Sequence, residues 1–447
     1  MGIPFYFASL LRNHKNVLRR ITKKDTCVNL CLDSNSIVYD CARDIEANHT
    51  SFESELIARV CAKIESYIDL VRPTNVYIAF DGPPPMAKMK QQRERRYKGA
   101  AETKLGWDTI QITPGTTFMM KLDEGVKTHF QHHSEKFDVF KLSVSSEPGE
   151  GEQKIFEWLR SSPGQTFVYG LDSDLIILAL QHLKLCPISM VREFKEEIKL
   201  LDVSKLGTEI EALLGKDRLN DYIFLMFFMG NDFLPHFPAL NLRTKGLDTI
   251  LQTYKTAAFD TPLFDGERIC WQHLETLLQM LGDKESVLIC REYKDRNSKV
   301  VPPLPENKPM LERELEHYIN PTEKGWEHRY YTTLLKIDPT PSTIARLCSD
   351  YFQMLDWNSK YYTGLCPSWD MYYPHMYPPL LKDLAKHVPK TDFTFPPSQP
   401  KLLQGLLEFV MPSAAAHFSS IPISIPPRNP EVYWAFTTFY WESHLLF

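Results

Sequence analysis

The sequence predicts an α/β protein: a mixed, mainly parallel sheet flanked by helices, with a helical, aromatic-rich C-terminal region packed on it. Three observations carry this. Over roughly the first 250 residues, short β-branched or aromatic runs alternate with longer amphipathic ones. Three of the four short runs end in an aspartate. From about residue 326 the chain turns aromatic at helical spacing, as in WEHRYYTTLL and DYFQMLDWNSKYYTGL. Composition agrees with a folded chain, since 43% of the 447 residues are hydrophobic and 24% charged. A single core rarely grows past about 250–300 residues, so more than one unit is expected. The formal charge of −5 argues against a protein that coats nucleic acid through bulk charge, but leaves local basic patches open.

Residues 28–32 (VNLCL) read as a buried strand ending at Asp33. A helix over 53–71 follows, with Leu56, Ile57, Val60, Cys61, Ile64, Ile68 and Val71 on one side, and Pro73 stops it. Val76–Phe80 is a second strand, ending at Asp81, and this strand–helix–strand order is the signature of parallel pairing. Phe137–Leu142 is a third strand, followed by a helix from about Gly151 to Arg160. A fourth, Thr166–Tyr169, runs through Gly170 and Leu171 into Asp172-Ser173-Asp174 and the helix Leu175–His182. The helix Asp221–Met229 closes with Gly230-Asn231-Asp232. The division is therefore a core over 1–255, a connector over 256–325 marked by prolines at 302, 303, 305 and 309, and a second region over 326–447.

The nine cysteines are odd in number and include no CxxC pair, so neither a disulfide framework nor a zinc site is expected, and a reducing compartment is. The opening MGIPFYFASLLRNHK lacks a basic n-region and has Tyr6 where a myristoylation signal needs Ser or Thr. No apolar run is long enough to span a bilayer. The reading is a soluble intracellular protein without a membrane partner.

In open α/β sheets, ligands bind beyond the carboxyl ends of the strands. Asp33, Asp81, Asp172 and Asp174 would gather there, joined by Glu150 and Glu152 from the Gly-rich turn SEPGEGEQK and by Asp232. Seven carboxylates converging without basic partners nearby would repel one another, and hard oxygen ligands favour magnesium or manganese. Two such ions suit phosphodiester hydrolysis. For any single acid the alternative is a helix cap or solvated surface. Beside Asp81, residues 86–98 (MAKMKQQRERRYK) carry six basic residues against one acid. If helical, they place Lys88, Gln92, Arg95 and Arg96 on one face, the donor chemistry of a phosphate pocket. The alternative is a solvated basic helix.

MGIPFYF, DSNSIVYD, FDGPPPMAKMKQQRERRYKGA, ITPGTTFM, PGEGEQK, YGLDSDLIILAL and FMGNDFLPHFPALNL resemble, in order, the successive motifs of the 5′-to-3′ exoribonuclease (Xrn/Rat1) family. YYTGLCPSWDMYYPHMYPPLLKDL and PSAAAHF resemble that family's second conserved region. The resemblance covers most of 1–250 and about 326–447. It implies a flap-endonuclease/PIN-like nuclease core, and QQRERRYK and GNDFLPH favour the exoribonuclease branch. By resemblance, Asp33, Asp81, Glu150, Glu152, Asp172, Asp174 and Asp232 match the family's metal-binding acids, and Lys88, Gln92, Arg95 and Arg96 its 5′-monophosphate pocket. The implied activity is magnesium-dependent degradation of single-stranded RNA from a 5′-monophosphate end, with two ions, releasing nucleoside 5′-monophosphates in RNA decay or processing. A cap or triphosphate would not fit. Gly2–Phe7 resembles a segment that packs near the site.

The chain departs from the family at several places. Tyr39 stands where a histidine usually stacks on the 5′ base, and a tyrosine also stacks. Trp369 matches a second stacking residue, but Met371 replaces another tryptophan, Met86 stands where a basic residue is common, and Ser36 replaces a glycine. None of the seven acids is replaced. The expected protein is a short, monomeric member consisting of the nuclease core, in the cytoplasm, with the nucleus as alternative. Two other functions stay in view: a structure-specific DNA flap nuclease and a non-catalytic RNA 5′-end-binding protein.

Overall fold

The computed structural model describes residues 2–3, 5–46, 50–101, 106–195, 197–298, 313–437 and 443–447. Seven strands form one sheet: β1 (Leu18–Arg20), β2 (Asn29–Asp33), β3 (Asn75–Ala79), β4 (Val139–Ser143), β5 (Thr166–Tyr169), β6 (Ile188–Phe194) and β7 (Glu197–Asp202). Their order is β1-β7-β6-β5-β2-β3-β4. From β4 to β6 the pairing is parallel, and β7 and β1 add antiparallel strands at one edge. The mixed, mainly parallel sheet is thus the architecture expected. All four expected strands are present within two residues of their read positions, whereas β1, β6 and β7 had not been read. In β6 and β7, Arg192, Glu193, Glu197 and Lys199 interrupt the apolar pattern, so neither strand stands out as an apolar run.

The central strands are apolar throughout because both faces are covered. Cys31, Tyr77, Ala79 and Val168 face one buried cluster, and Leu30, Leu32, Val76, Ile78, Phe167 and Tyr169 face another. The second cluster is filled by the helices Phe52–Val71 and Thr117–Phe130. The first contains the helix Asp174–Gln181 and runs without a break into Tyr351, Phe352, Leu355, Trp357, Tyr361 and Tyr362 of the helix Pro341–Tyr362. The aromatic-rich region is therefore packed on the sheet's helical layer.

Within the stretch 256–325, Trp271–Gly282 and Glu285–Asn297 are helices whose Leu274, Leu277, Leu278, Leu281, Leu288 and Ile289 enter that same cluster. The four prolines behind the connector reading lie outside the described residues. The nine cysteines are all free thiols. Among the described residues no helix is long and apolar enough to cross a membrane.

Register fixes the site. Asp33 pairs with Ala79, and Leu32 lies between Ile78 and Tyr169. The ends of β2, β3 and β5 are level, so the residues just beyond them share one crevice.

Candidate active site

Asp33 is the last residue of β2 and is buried. Asp81 follows β3; its N–H donates to Asn35 Oδ1 (3.1 Å), and its own Oδ1 accepts from the Gly151 N–H (2.7 Å). Gly151 is required here: a Cβ would stand 2.8 Å from Asp33 Oδ1 and 3.2 Å from the Ala79 carbonyl. It opens the helix Gly151–Leu159, with Glu150 at the cap position and Glu152 in the first turn, where the helix dipole favours negative charge. Asp174 opens its own helix and accepts from the Leu175 N–H (3.1 Å). Asp232 follows Gly230, whose φ of 81° a side chain would resist.

These acids lie close enough to perturb one another. Burial pushes Asp33 well above the ordinary carboxylate range, and Asp81, Asp172 and Asp174 add repulsion. Burial and Asp174 do the same to Glu152, and burial raises Asp174 to about 6. The expectation of a cluster without basic partners needs correction. Lys88 is buried inside it, with Nζ 2.5 Å from Glu150 and 2.8 Å from Asp232. Charge counting along the sequence separated the helix from the acids, whereas its first full turn drives Lys88 between them. Among the described residues no three His, Cys, Asp or Glu side chains form a ready cage for one ion. Lys88 instead draws Glu150 and Asp232 to its ammonium.

The basic run is the helix Met86–Ala101. It is not a solvated face: Lys88, Gln92 and Arg96 are buried, and Lys90 donates to the carbonyls of Tyr373 (2.7 Å) and His375 (2.9 Å). Lys88, Gln92, Arg95 and Arg96 line a cavity of about 210 Å³ together with Asp33, Asp81, Asp172 and Tyr39. Gln92 Oε1 is buried there without a hydrogen-bond partner. Arg96 is anchored on Thr113 Oγ1 (2.7 Å) and the Ile112 carbonyl (3.1 Å), with Tyr39 beside it. Arg95 has no hydrogen bond or ion pair to any described residue. Trp369 is not part of this wall. It sits at the start of the basic helix, its carbonyl accepting from the Met86 N–H (2.8 Å) and its N–H donating to Ser398 Oγ (2.7 Å).

Three site residues had not been read from the sequence. Tyr361 donates to Glu150 Oε1 (2.6 Å). Asn35 holds the Asp81 backbone. Arg192 of β6 donates to the carbonyls of Gly170 (3.2 Å), Leu171 and Asp172 (3.1 Å), bracing the turn that carries Asp172 and Asp174. The motif DSNSIVYD contained Asn35 as a visible signal; Tyr361 and Arg192 had none in local pattern.

Carboxylates gathered past the level ends of a mainly parallel, helix-flanked sheet occupy the crevice where open α/β folds bind their ligands. The chain belongs to the 5′-3′ exoribonuclease (Xrn) family: the signature described as "XRN 5'-3' exonuclease N-terminus" matches residues 1–106 and 101–193, and that described as "Xrn1 helical domain" matches 216–317 and 304–422. It is 25% identical over 591 aligned positions to "5'-3' exoribonuclease 1" of Saccharomyces cerevisiae, covering 90% of this chain and 38% of that protein. It is 28% identical over 397 positions to "5'-3' exoribonuclease 2" of Kluyveromyces lactis, covering 66% and 40% respectively. The chain thus spans about two fifths of the length of these relatives. Among solved structures, the catalytic core of Rad2 in complex with DNA substrate superimposes with a TM-score of 0.40 at 13% identity, over 81% of this chain and 99% of that one.

Proposed function

We propose that this chain hydrolyses single-stranded RNA from a 5′-monophosphate end, one nucleotide at a time, with two magnesium ions (manganese substituting), and releases nucleoside 5′-monophosphates. One observation carries the reading: a single cavity is lined by carboxylates of the strand-end cluster and by Lys88, Gln92, Arg95 and Arg96. At about 210 Å³ it is smaller than the roughly 300–1,000 Å³ of ordinary small-molecule sites, which favours one terminal phosphate over a triphosphate or cap.

The donor set fits divalent cations. It consists of hard oxygens only and is buried; burial and neighbouring carboxylates hold Asp33 and Glu152 above the ordinary range, whereas Lys88 holds Asp232 below it despite burial. Asp33, Asp81, Glu150, Glu152, Asp172, Asp174 and Asp232 are the residues that would hold the ions, which when bound would lower the pKa of an attacking water and neutralise charge at the leaving oxygen. The protein's own groups do the positioning. Gly151 and Asn35 orient Asp81, Tyr361 and Lys88 orient Glu150, and Arg192 braces the loop bearing Asp172 and Asp174. Arg95, with its guanidinium fork uncommitted, and the Gln92 amide receive the terminal phosphate. Tyr39 and Trp369 are proposed to stack on bases, Tyr39 from the cavity wall and Trp369 from the start of the basic helix.

Decay of one RNA carrying a 5′-monophosphate, 5′-hydroxyl or 5′-triphosphate, each with magnesium and with EDTA, tests this. The monophosphate alone should be degraded rapidly, and only with magnesium. Equal decay of the three ends removes the pocket assignment, and activity in EDTA removes the metal assignment. Cleavage of branched DNA with RNA left intact would favour the flap-nuclease alternative.

A further inference from the structure

We propose that a second cavity, on the other flank of the basic helix, is a binding site for a free nucleoside 5′-monophosphate, the product of the reaction proposed above, on which this inference rests. The cavity measures about 360 Å³, against about 210 Å³ for the first. Gln91 and Arg95, one turn apart on the Met86–Ala101 helix, form one wall. Arg95 lines both cavities, and Asp232 of the second is paired at 2.8 Å with Lys88 of the first. The two spaces therefore meet at the Arg95 guanidinium and the Lys88–Asp232 ion pair.

The chemistry of the second space is that of a nucleotide site. Arg95 brings a phosphate donor with no hydrogen-bond or ion-pair partner among the described residues. Both polar atoms of the Gln91 amide are buried without a partner, so a turn of that side chain into the cavity would offer a base edge a donor and an acceptor. Tyr377 and Phe436 supply aromatic surface, with the Tyr377 hydroxyl committed to the Ala435 carbonyl (2.9 Å). Position argues for released product over the body of the substrate. Trp369, the proposed stacking residue for the incoming strand, meets the helix at Met86, whereas Gln91 and Arg95 lie one to three turns further along it.

The test measures AMP binding to the full chain by calorimetry in EDTA, so that nothing is hydrolysed, alongside binding of a 5′-phosphorylated RNA decamer. Gln91→Leu, similar in size but without the amide, should weaken AMP about tenfold, as expected for two lost hydrogen bonds. It should leave decamer binding within twofold. If Gln91→Leu does not fold, judged by its thermal melt, Gln91→Glu carries the same prediction by placing a carboxylate where the nucleotide sits. Unchanged AMP affinity overturns the site, and equal weakening of AMP and decamer overturns it by assigning the cavity to the substrate strand. If the decamer shows no preference for a 5′-phosphate, the underlying functional reading fails, and this inference with it.

Discussion

Replacing Tyr361 by phenylalanine isolates one bond between the two halves of the chain. The ring of Tyr361 stacks on Trp357 (4.8 Å between centroids, 12° between planes) and meets Phe233 edge-on at 5.2 Å, and phenylalanine keeps both contacts. What disappears is the buried hydroxyl that donates to Glu150 Oε1 at 2.6 Å. A hydrogen bond to a charged group contributes roughly 1.5–3 kcal/mol. Glu150 keeps Lys88 at 2.5 Å, so the lower end applies, about 1.5 kcal/mol, which corresponds to about a tenfold fall in rate. Tyr361 does not line the cavity proposed to receive the 5′ end, so the loss should fall on kcat and leave KM for 5′-phosphorylated RNA within twofold. Single-turnover decay at saturating magnesium, with an RNA titration, measures both. If kcat stays within twofold of the parent while the melting temperature drops, Tyr361 is a packing residue and its proposed role in positioning Glu150 is wrong.

Gly151→Ala places a methyl group 2.8 Å from Asp33 Oδ1 with the Ala79 carbonyl at 3.2 Å behind it. Asp33 must shift, and activity should fall by on the order of 100-fold, the cost of a displacement of about 1 Å in an active site, while circular dichroism stays that of the parent. Full activity would show that Asp33 is not needed where it stands. Asp174→Ala should abolish hydrolysis and leave RNA binding largely intact by gel shift; a fully active variant refutes its role. Away from the site, Glu285 accepts from the N–H groups of Leu381 (2.7 Å) and Lys382 (3.1 Å), yet burial lifts its carboxyl to about 7 from 4.5. The folded chain then keeps a proton that the unfolded chain has released. Its stabilising contribution is full below pH 4.5 and is lost as pH rises through 7, a change of about 3 kcal/mol. Glu285→Gln cannot ionise, so its melting temperature should fall less than the parent's between pH 5 and 7. Parallel pH profiles would exclude Glu285 as the source.

What could be read from the chain alone follows from the range of each interaction. Asp33, Asp81 and Asp172 were legible because a buried strand announces its end, and parallel strands of level register bring their ends together. Glu150 and Glu152 were legible because a glycine-rich turn announces a helix start. The face shared by Lys88, Gln92, Arg95 and Arg96 follows from helical period, and all four do meet in one cavity. Period gives a face but not what the face meets, and Lys88 proved to lie among the acids it had been set apart from. Arg192 was hidden because it and Glu193 break the apolar run of β6, although its guanidinium reaches across to the carbonyls following β5.

Tyr361 is the deepest omission, and its reason is general. It lies in an aromatic helix where most rings are core, and Glu150 is 211 residues earlier, so no local spacing relates them. Trp357, one turn before it in the same helix, spends its ring N–H on the Ser368 carbonyl within the second region. Sequence pattern does not separate these two aromatics, yet one closes a structural turn and the other reaches a candidate metal ligand. The difference arises only from how the second region docks on the sheet. A site assembled across that junction depends on docking as much as on its own residues. Mutations that loosen the shared apolar cluster should therefore reach activity through Glu150 before they unfold the chain.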